Sequence, residues 1–484
     1  MGKPITCAVL ALVSFCSLLA AAQRPNVLFI ITDDQNHDTI GALGNDRIRT
    51  PHTDRLVAEG VAFTNAYIMG GSSPAVCSPS RACLMTGRTL WNIECQSLWG
   101  FEISGKFRTL PQVFREDGFE TFATGKNEPG RSGAFARSFS AGDKILFRGM
   151  TRSQYNMPLC PFSPEGDYSP KTEAAHEGKH SAEIYADAFI DFLGKQKGDE
   201  KPYFAYVSFQ TPHDPRQCPE EFRAMYKDGG MQLPASFMPE HPFDNGMLKI
   251  RDEQLAPFPR TEAVVRKHTA DYYATITHTD EQIGRMLDAL DESGERDNTI
   301  IVFTSDNGLA LGRHGLMGKQ NIYDHSVHVP FIVAGPGIPK GERRAQLCYM
   351  YDIYPTLCEI AGIAVPDTVQ FRSMVEVIKE PTAKFRDSLY FAFMSWQRAV
   401  RDERFKLIEY CVGEERHTQL FDLVADPNET KNLAADPAHM ETRERLRALL
   451  KEERLLLNDG NTPYEFSDLQ GKEFWSRYEA EELR

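Results

Sequence analysis

The sequence predicts an α/β protein in which a large, mostly parallel sheet is sandwiched between helical layers, with a smaller C-terminal α+β subdomain. Three observations predict it. Short apolar runs rich in β-branched residues alternate with longer amphipathic segments, the pattern of buried parallel strands joined by crossover helices. Two of those runs stop abruptly at acidic residues, Asp33-Asp34 and Asp306-Asn307, which is where an open sheet of this kind presents its ligand site. From about Arg386 the texture changes to short strand-like runs followed by one charged helix.

Asn26 to Thr32 (NVLFIIT) reads as a strand buried on both faces. Thr50-Pro51 opens a helix through Glu59, with Pro in the first turn and Gly60 as the stop. The alternation continues with helix Leu110 to Asp117, strand Phe119 to Thr124, helix His180 to Gln196 and strand Tyr203 to Phe209. A long helix follows from about Glu262 to Glu292, then strands Thr299 to Thr304 and Pro330 to Val333, and helix Met350 to Ala361. In the long helix Ile276, Ile283, Leu287 and Leu290 recur at helical spacing, which predicts one shared apolar face. The C-terminal part is expected to hold strands Ser388 to Met394 and Arg404 to Tyr410 and a helix from about Met440 to Leu456. Asn127 to His176 and Pro212 to Pro259 are long and irregular, and loops of that length in a compact domain usually shape a binding site.

The chain has 484 residues, 41% of them hydrophobic and 25% charged, which excludes disorder, collagen and coiled coil. With 54 Lys+Arg against 68 Asp+Glu the net charge is -14, so the surface has no footprint for nucleic acid, and an anionic ligand needs a local cationic pocket. Lys3, the apolar stretch Thr6 to Ala20 and the small residues Ala20-Ala21-Ala22 read as a secretory signal, too short to span a bilayer. No later segment looks membrane-spanning, so the expected product is secreted or periplasmic. The expected organisation is a signal peptide at 1–22, a catalytic domain at 23–385 and a C-terminal subdomain with a small antiparallel sheet and a helix at 386–484.

Removing the signal leaves cysteines at 77, 83, 95, 160, 218, 348, 358 and 411, with no CxxC pair for zinc and too low a density for a disulfide scaffold. Taken alone, either acidic pair is more often a turn or a helix cap than a ligand set. Together Asp33, Asp34, Asp306 and Asn307 offer three carboxylates and an amide oxygen. Carboxylates that close repel and need a cation between them, and all-oxygen ligation suits Ca²⁺, or Mg²⁺, rather than zinc.

The most specific segment is Ala75-Val76-Cys77-Ser78-Pro79-Ser80-Arg81-Ala82-Cys83-Leu84-Met85-Thr86-Gly87. Ser78 and Pro79 look like the cap and first turn of a helix, which puts Cys77 at a helix N-terminus where backbone N–H groups attract an anion. The whole string resembles the signature of the formylglycine-dependent (type I) sulfatases of the alkaline phosphatase-like superfamily. Thr124-Gly125-Lys126, Thr211-Pro212-His213, Thr304 to Gly308, Lys319 and the tail Leu420 to Leu433 resemble that family in order and approximate spacing. Asn428-Glu429-Thr430 is formally a glycosylation sequon, but it falls within this resemblance and is read as structural.

The resemblance implies that a dedicated maturation enzyme oxidises Cys77 to formylglycine, whose hydrated aldehyde attacks sulfur and whose collapse expels sulfate. A thiol would lack that exit. It implies a metal set of Asp33, Asp34, Cys77, Asp306 and Asn307, with Arg81 holding the diol. Lys126 and Lys319 resemble the sulfate-binding lysines, and His213 the histidine that protonates the leaving alcohol. His314, and Glu128 in the place where the family commonly has a histidine, are weaker substrate-site candidates; His37 is weaker still. Arg131, Arg137, Arg148, Arg152 and Arg216 lie in the long loops and could meet a second anionic group, although most such arginines are surface charges. The expected activity is sulfate-ester hydrolysis, with sulfated carbohydrate as the expected substrate. Two alternatives stand beside it: a phosphomonoester or phosphodiester hydrolase of the same superfamily, and a non-catalytic sulfated-glycan-binding protein.

Overall fold

The computed structural model describes residues 24–93, 103–127, 133–168, 173–459 and 475. The signal-peptide expectation at 1–22, Cys95, Glu128 and Arg131 lie outside the described residues.

In chain order the elements that build the site are β1 (Asn26–Asp33), α1 (Pro51–Glu59), β2 (Gly60–Phe63), β3 (Gly70–Gly71), α2 (Cys77–Thr86), α3 (Leu110–Glu116), β4 (Glu120–Lys126) and β5 (Ala141–Leu146). They continue with α4 (Ser181–Gln196), β6 (Tyr203–Pro212), α5 (Glu262–Ser293), β7 (Thr299–Ser305), β8 (Phe331–Ala334), β9 (Glu342–Arg344) and α6 (Ile353–Ala361). The C-terminal part supplies β10 (Leu389–Phe393), β11 (Gln397–Arg401), β12 (Phe405–Val412), β13 (Glu415–Asp422) and α7 (Met440–Leu456).

The large sheet has eight strands in the order β9-β2-β8-β7-β1-β6-β4-β5. Its centre is parallel: β1 pairs with β7 on one side and β6 on the other, and β4 pairs in parallel with β6 and β5. β8 runs antiparallel to both β7 and β2, so the sheet is mixed at that side. Alternate residues of β1 enter opposite cores. Val27, Phe29 and Ile31 pack in a core shared with α2, α6 and the C-terminal sheet, whereas Leu28 and Ile30 pack in the core that holds α4 and α5. Burial of each such side chain contributes about 1.5–3 kcal/mol, which is why the run has no polar alternation.

α1 starts at Pro51 as expected, yet the Thr50 side chain makes no cap bond to it. The exposed amides are held instead by Asp280 of α5, which accepts from His52 N (3.0 Å) and Thr53 N (2.7 Å). α5 also departs from a single apolar face. Ile283, Leu287 and Leu290 meet the sheet core, but Ile276 lies in a third cluster with Tyr226, Met231 and Leu311, because a 32-residue helix outruns the sheet it covers. That third cluster packs beneath the irregular stretch 212–259.

The C-terminal sheet has five strands, β13-β12-β11-β10-β3, antiparallel from β13 to β10. β11 and β13 join the two strands expected there, and β3, from the N-terminal part, closes the edge in parallel through Gly70↔Ala392 and Gly71↔Phe393. Among the described residues no helix is long and apolar enough to cross a membrane. Among the described residues, no disulfide joins two of the cysteines at 77, 83, 160, 218, 348, 358 and 411.

Candidate active site

Four neighbouring parallel strands, β7-β1-β6-β4, end at the same edge of the sheet, and each delivers part of one charged cluster. Asp33 closes β1 and Asp34 follows it; Asp306 and Asn307 follow β7; Lys126 closes β4; His213 is the residue after β6. The sheet therefore gathers residues as far apart in the chain as Asp34 and Asp306, 272 positions, without any element spanning the distance. Asp34 adopts a left-handed backbone (φ 67°), a strained choice for an aspartate that turns its carboxylate back toward the cluster. Gly125, just before Lys126, has φ 84°, and a Cβ there would lie 1.9 Å from the Ser208 carbonyl oxygen, so the Thr-Gly-Lys turn requires glycine.

Cys77 is the first residue of α2 and is 3% exposed. Ser78 is not its cap: the helix begins one residue earlier, at Cys77, with Val76 before it and no capping side chain. One turn on, Arg81 is wholly buried and spans the cluster. Its Nε donates to Asp306 Oδ2 at 2.7 Å, its Nη1 to Ser208 Oγ at 2.6 Å, and its Nη2 lies 3.9 Å from Asp33 Oδ2. Lys126 Nζ donates to Asp33 Oδ2, and Lys319 Nζ donates to Asp34 Oδ1 at 2.5 Å while standing 3.8 Å from Asp33 Oδ1. Asn307 Nδ2 donates to Asp34 Oδ1 at 2.7 Å, and the Asp34 amide donates to Asp306 Oδ1 at 3.2 Å. His213 Nδ1 donates to the Asp214 carbonyl at 2.8 Å, which leaves Nε2 facing Asp34 Oδ2 at 3.8 Å.

Two acceptors have no donor. Asp33 Oδ1 and Asn307 Oδ1 are buried and accept no hydrogen bond, which is costly for an oxygen unless a cation takes it. Ligand atoms of Asp33, Cys77 and Asp306 all lie within 4.8 Å of one another, as do those of Asp33, Asp34 and His213. Asp306 is pushed up to about 6, first by burial and then by the charge of Asp33 beside it. Burial pushes Asp33 the same way, but Lys126, His213, Lys319 and Arg81 together hold it well below the usual carboxylate range. Lys319 is held charged against its burial, chiefly by Asp34. Two close carboxylates driven apart in this way repel one another and need positive charge beside them. The charges of Asp33, Asp34 and Asp306 are cancelled by Arg81, Lys126 and Lys319, so a divalent ion would leave the cluster net positive, ready for an anion.

Residues 25–363 match the Sulfatase family, and residues 312–455 match the C-terminal family of N-sulphoglucosamine sulphohydrolase.

The chain belongs to the sulfatase family.

Among its relatives, the arylsulfatase of Clostridium perfringens (strain 13 / Type A) is 28% identical over 469 residues, covering 89% of this chain and 94% of that protein. The N-acetylglucosamine-6-O-sulfatase of Bacteroides thetaiotaomicron is 26% identical over 500 residues, covering 91% and 88%. The solved structure of BT4656 in complex with its substrate D-glucosamine-2-N,6-O-disulfate shares the fold with a TM-score of 0.74 at 24% identity, covering 91% of this chain and all of that one. This sulfatase is a sulfuric ester hydrolase, of a family that is metal-dependent and carries formylglycine at its signature cysteine. The donor set fits the metal: carboxylate and amide oxygens, two of them orphaned.

The weaker candidates from the sequence stand elsewhere. His314 stacks on Tyr323 (3.9 Å between ring centroids), its Nε2 donates to the Glu429 carbonyl (2.9 Å), and burial pushes it down to about 4, so it is a neutral structural residue joining the two sheets. His37 stacks on His328 at 3.7 Å. Arg148 pairs with Glu173, Arg152 is exposed, and Arg216 lies 5.8 Å from the centre of the Tyr272 ring with Nη1 3.1 Å from His268 Nδ1. Sequence reasoning missed Ser208, Asp214 and Arg251 around the cluster. Ser208 lies inside an apolar strand, and the other two in a stretch with no periodicity to mark them.

Proposed function

We propose that this sulfatase hydrolyses sulfate esters of a sulfated carbohydrate, outside the cytoplasm, with Cys77 matured to formylglycine and Ca²⁺ as its ion. The observation that carries the reading is the convergence of Asp33, Asp34, Asp306 and Asn307 on the N-terminus of α2, with Cys77 itself within ligand distance of Asp33 and Asp306. The hydrated aldehyde would supply a nucleophile that thiol chemistry lacks, and the ion would neutralise charge at the sulfate oxygens.

The chain's own residues do the rest. Arg81, fixed by Asp306 and Ser208, orients the side chain at position 77 from one turn along the helix. Lys126 and Lys319 hold the sulfate, each poised on a carboxylate that keeps it charged. His213, with its Nδ1 proton committed to the Asp214 carbonyl, presents Nε2 to the leaving oxygen as the acid. All-oxygen ligation favours Ca²⁺ over a softer ion. A sulfated sugar is supported by the N-acetylglucosamine-6-O-sulfatase among the relatives, and export by the residues read as a signal peptide.

The test is release of inorganic sulfate from a panel of sulfated mono- and disaccharides, using protein coexpressed with a formylglycine-generating enzyme. An aryl phosphate is run beside an aryl sulfate. Sulfate release from a sugar supports the reading; faster turnover of the phosphate, or binding without release, overturns it.

A further inference from the structure

The irregular stretch 212–259 contains a short 3-10 helix, Arg251–Leu255, whose first three side chains each grip a different part of the catalytic edge. Arg251 forms a two-pronged pair with Asp214, the neighbour of His213: Nη1 to Oδ2 at 2.5 Å and Nη2 to Oδ1 at 2.9 Å. The same guanidinium holds Asp252, with Nε 3.0 Å and Nη2 2.7 Å from Oδ1. Asp252 Oδ2 in turn accepts from Gln320 Nε2 at 2.7 Å, and Gln320 Oε1 accepts from the Lys319 amide at 3.0 Å. Gln320 Nε2 also reaches the carbonyl of Pro74, three residues before Cys77. Glu253 accepts from the amides of Met317 (2.9 Å) and Gly318 (2.8 Å), just ahead of Lys319, and pairs with the buried Arg260.

We propose that Arg251-Asp252-Glu253 is a positioning clamp that sets His213 and Lys319 relative to one another, with one arm for the leaving group and one for the sulfate. The inference rests on the roles given above to those two residues. The arms are chemically distinct. Arg251 holds the carboxylate of Asp214, the residue whose carbonyl fixes the His213 ring, so its loss frees the proton donor. That loss also releases Asp252 Oδ1, but Asp252 Oδ2 keeps Gln320 and Glu253 keeps the Met317 and Gly318 amides, so the Lys319 loop stays held. Asp252 and Glu253 act on the loop that carries Lys319, so their loss loosens the sulfate whatever the leaving group is. Displacements of about 1 Å in such groups cost up to about 100-fold in rate. Arg251 is 39% exposed on its side chain, and it holds its geometry through charge-assisted pairs rather than through burial.

The test uses the full-length matured protein with para-nitrophenyl sulfate and para-methoxyphenyl sulfate, reading kcat and KM separately. Arg251→Ala is expected to lower kcat on the methoxy ester by about 10- to 100-fold and on the nitro ester by less than about threefold, with KM unchanged, because an acid matters only for a poor leaving group. Arg251→Lys should restore part of the loss. Asp252→Asn is expected to raise KM by about tenfold equally for both esters. Equal kcat losses on the two esters for Arg251→Ala, or a leaving-group bias in Asp252→Asn, would overturn the clamp while leaving the sulfatase reading intact. A wild-type sample inert toward both esters overturns the roles of His213 and Lys319, and the clamp with them.

Discussion

Arg81 Nε meets Asp306 Oδ2 at 2.7 Å with both side chains completely buried. The pair ties the signature helix to the carboxylate after β7, and it links metal binding to folding. Removing one partner of a buried pair leaves the other uncompensated, which costs about 3–5 kcal/mol. Asp306→Ala is therefore expected to lose both turnover and thermal stability. Asp306→Asn keeps an acceptor for Arg81, so it should fold and yet bind Ca²⁺ poorly in calorimetric titration. Parent-like calcium affinity in the asparagine variant would remove Asp306 from the ligand set.

Lys319 is buried against Asp34 and kept charged by it. Lys319→Ala should lower kcat/KM for any sulfate ester by about 100- to 1000-fold, the scale of losing one preorganised cation or donor at developing charge. Steady-state kinetics on an aryl sulfate measure this directly, and an unchanged value would take Lys319 out of the site.

His213→Ala should be selective. Loss of a general acid is worth about 100- to 10,000-fold on a poor leaving group and little on an activated one. A plot of log kcat/KM against leaving-group pKa should steepen in the variant; parallel lines for variant and parent would reject the acid role.

Between the two sheets, Lys406 Nζ sits 2.6 Å from Asp324 Oδ1 and 2.8 Å from Glu429 Oε1, so two carboxylates share one cation. Burial first, then Asp324, pushes Glu429 up to about 7 from its ordinary 4.5, although Lys406 opposes this. A carboxyl raised on folding keeps its proton in the native state while the unfolded chain has released it. Its contribution is therefore complete below the unfolded value and is lost as pH climbs through about 7. The melting temperature of Glu429→Gln, relative to the parent, should rise between about pH 5 and about pH 8. A relative melting temperature that stays flat or falls over that range would contradict the assignment.

Much of the architecture was legible because local pattern and tertiary role agree. The NVLFIIT run has no polar alternation since both its faces are covered, and α5 forms where its pattern predicts, although its apolar positions divide between two cores, Ile276 in one and Ile283, Leu287 and Leu290 in the other. Strand order was not legible: periodicity says that a segment is buried, and nothing in it says that β1 sits between β7 and β6 or that β8 runs antiparallel. The signature, the two acidic pairs, Lys126, His213 and Lys319 stood out because they follow strands or resemble a known motif, and four strands, α2 and the loop that carries Lys319 bring them to one edge. His314 sat close to Lys319 in sequence, but its ring turns away to Tyr323. Arg251, Asp252 and Glu253 were invisible, since residues that act by holding loops carry no periodic signal and gain meaning only from partners far along the chain.

The Gly70–Gly71 strand lies six residues before Cys77 and finds its partner only in Ala392 and Phe393. A growing polypeptide must therefore expose more than three hundred further residues before the ribbon flanking the signature can be completed. Until then the ribbon just ahead of Cys77, a residue only 3% exposed in the finished protein, lacks its neighbouring strand, so the surroundings of the signature are completed only when β10 is in place.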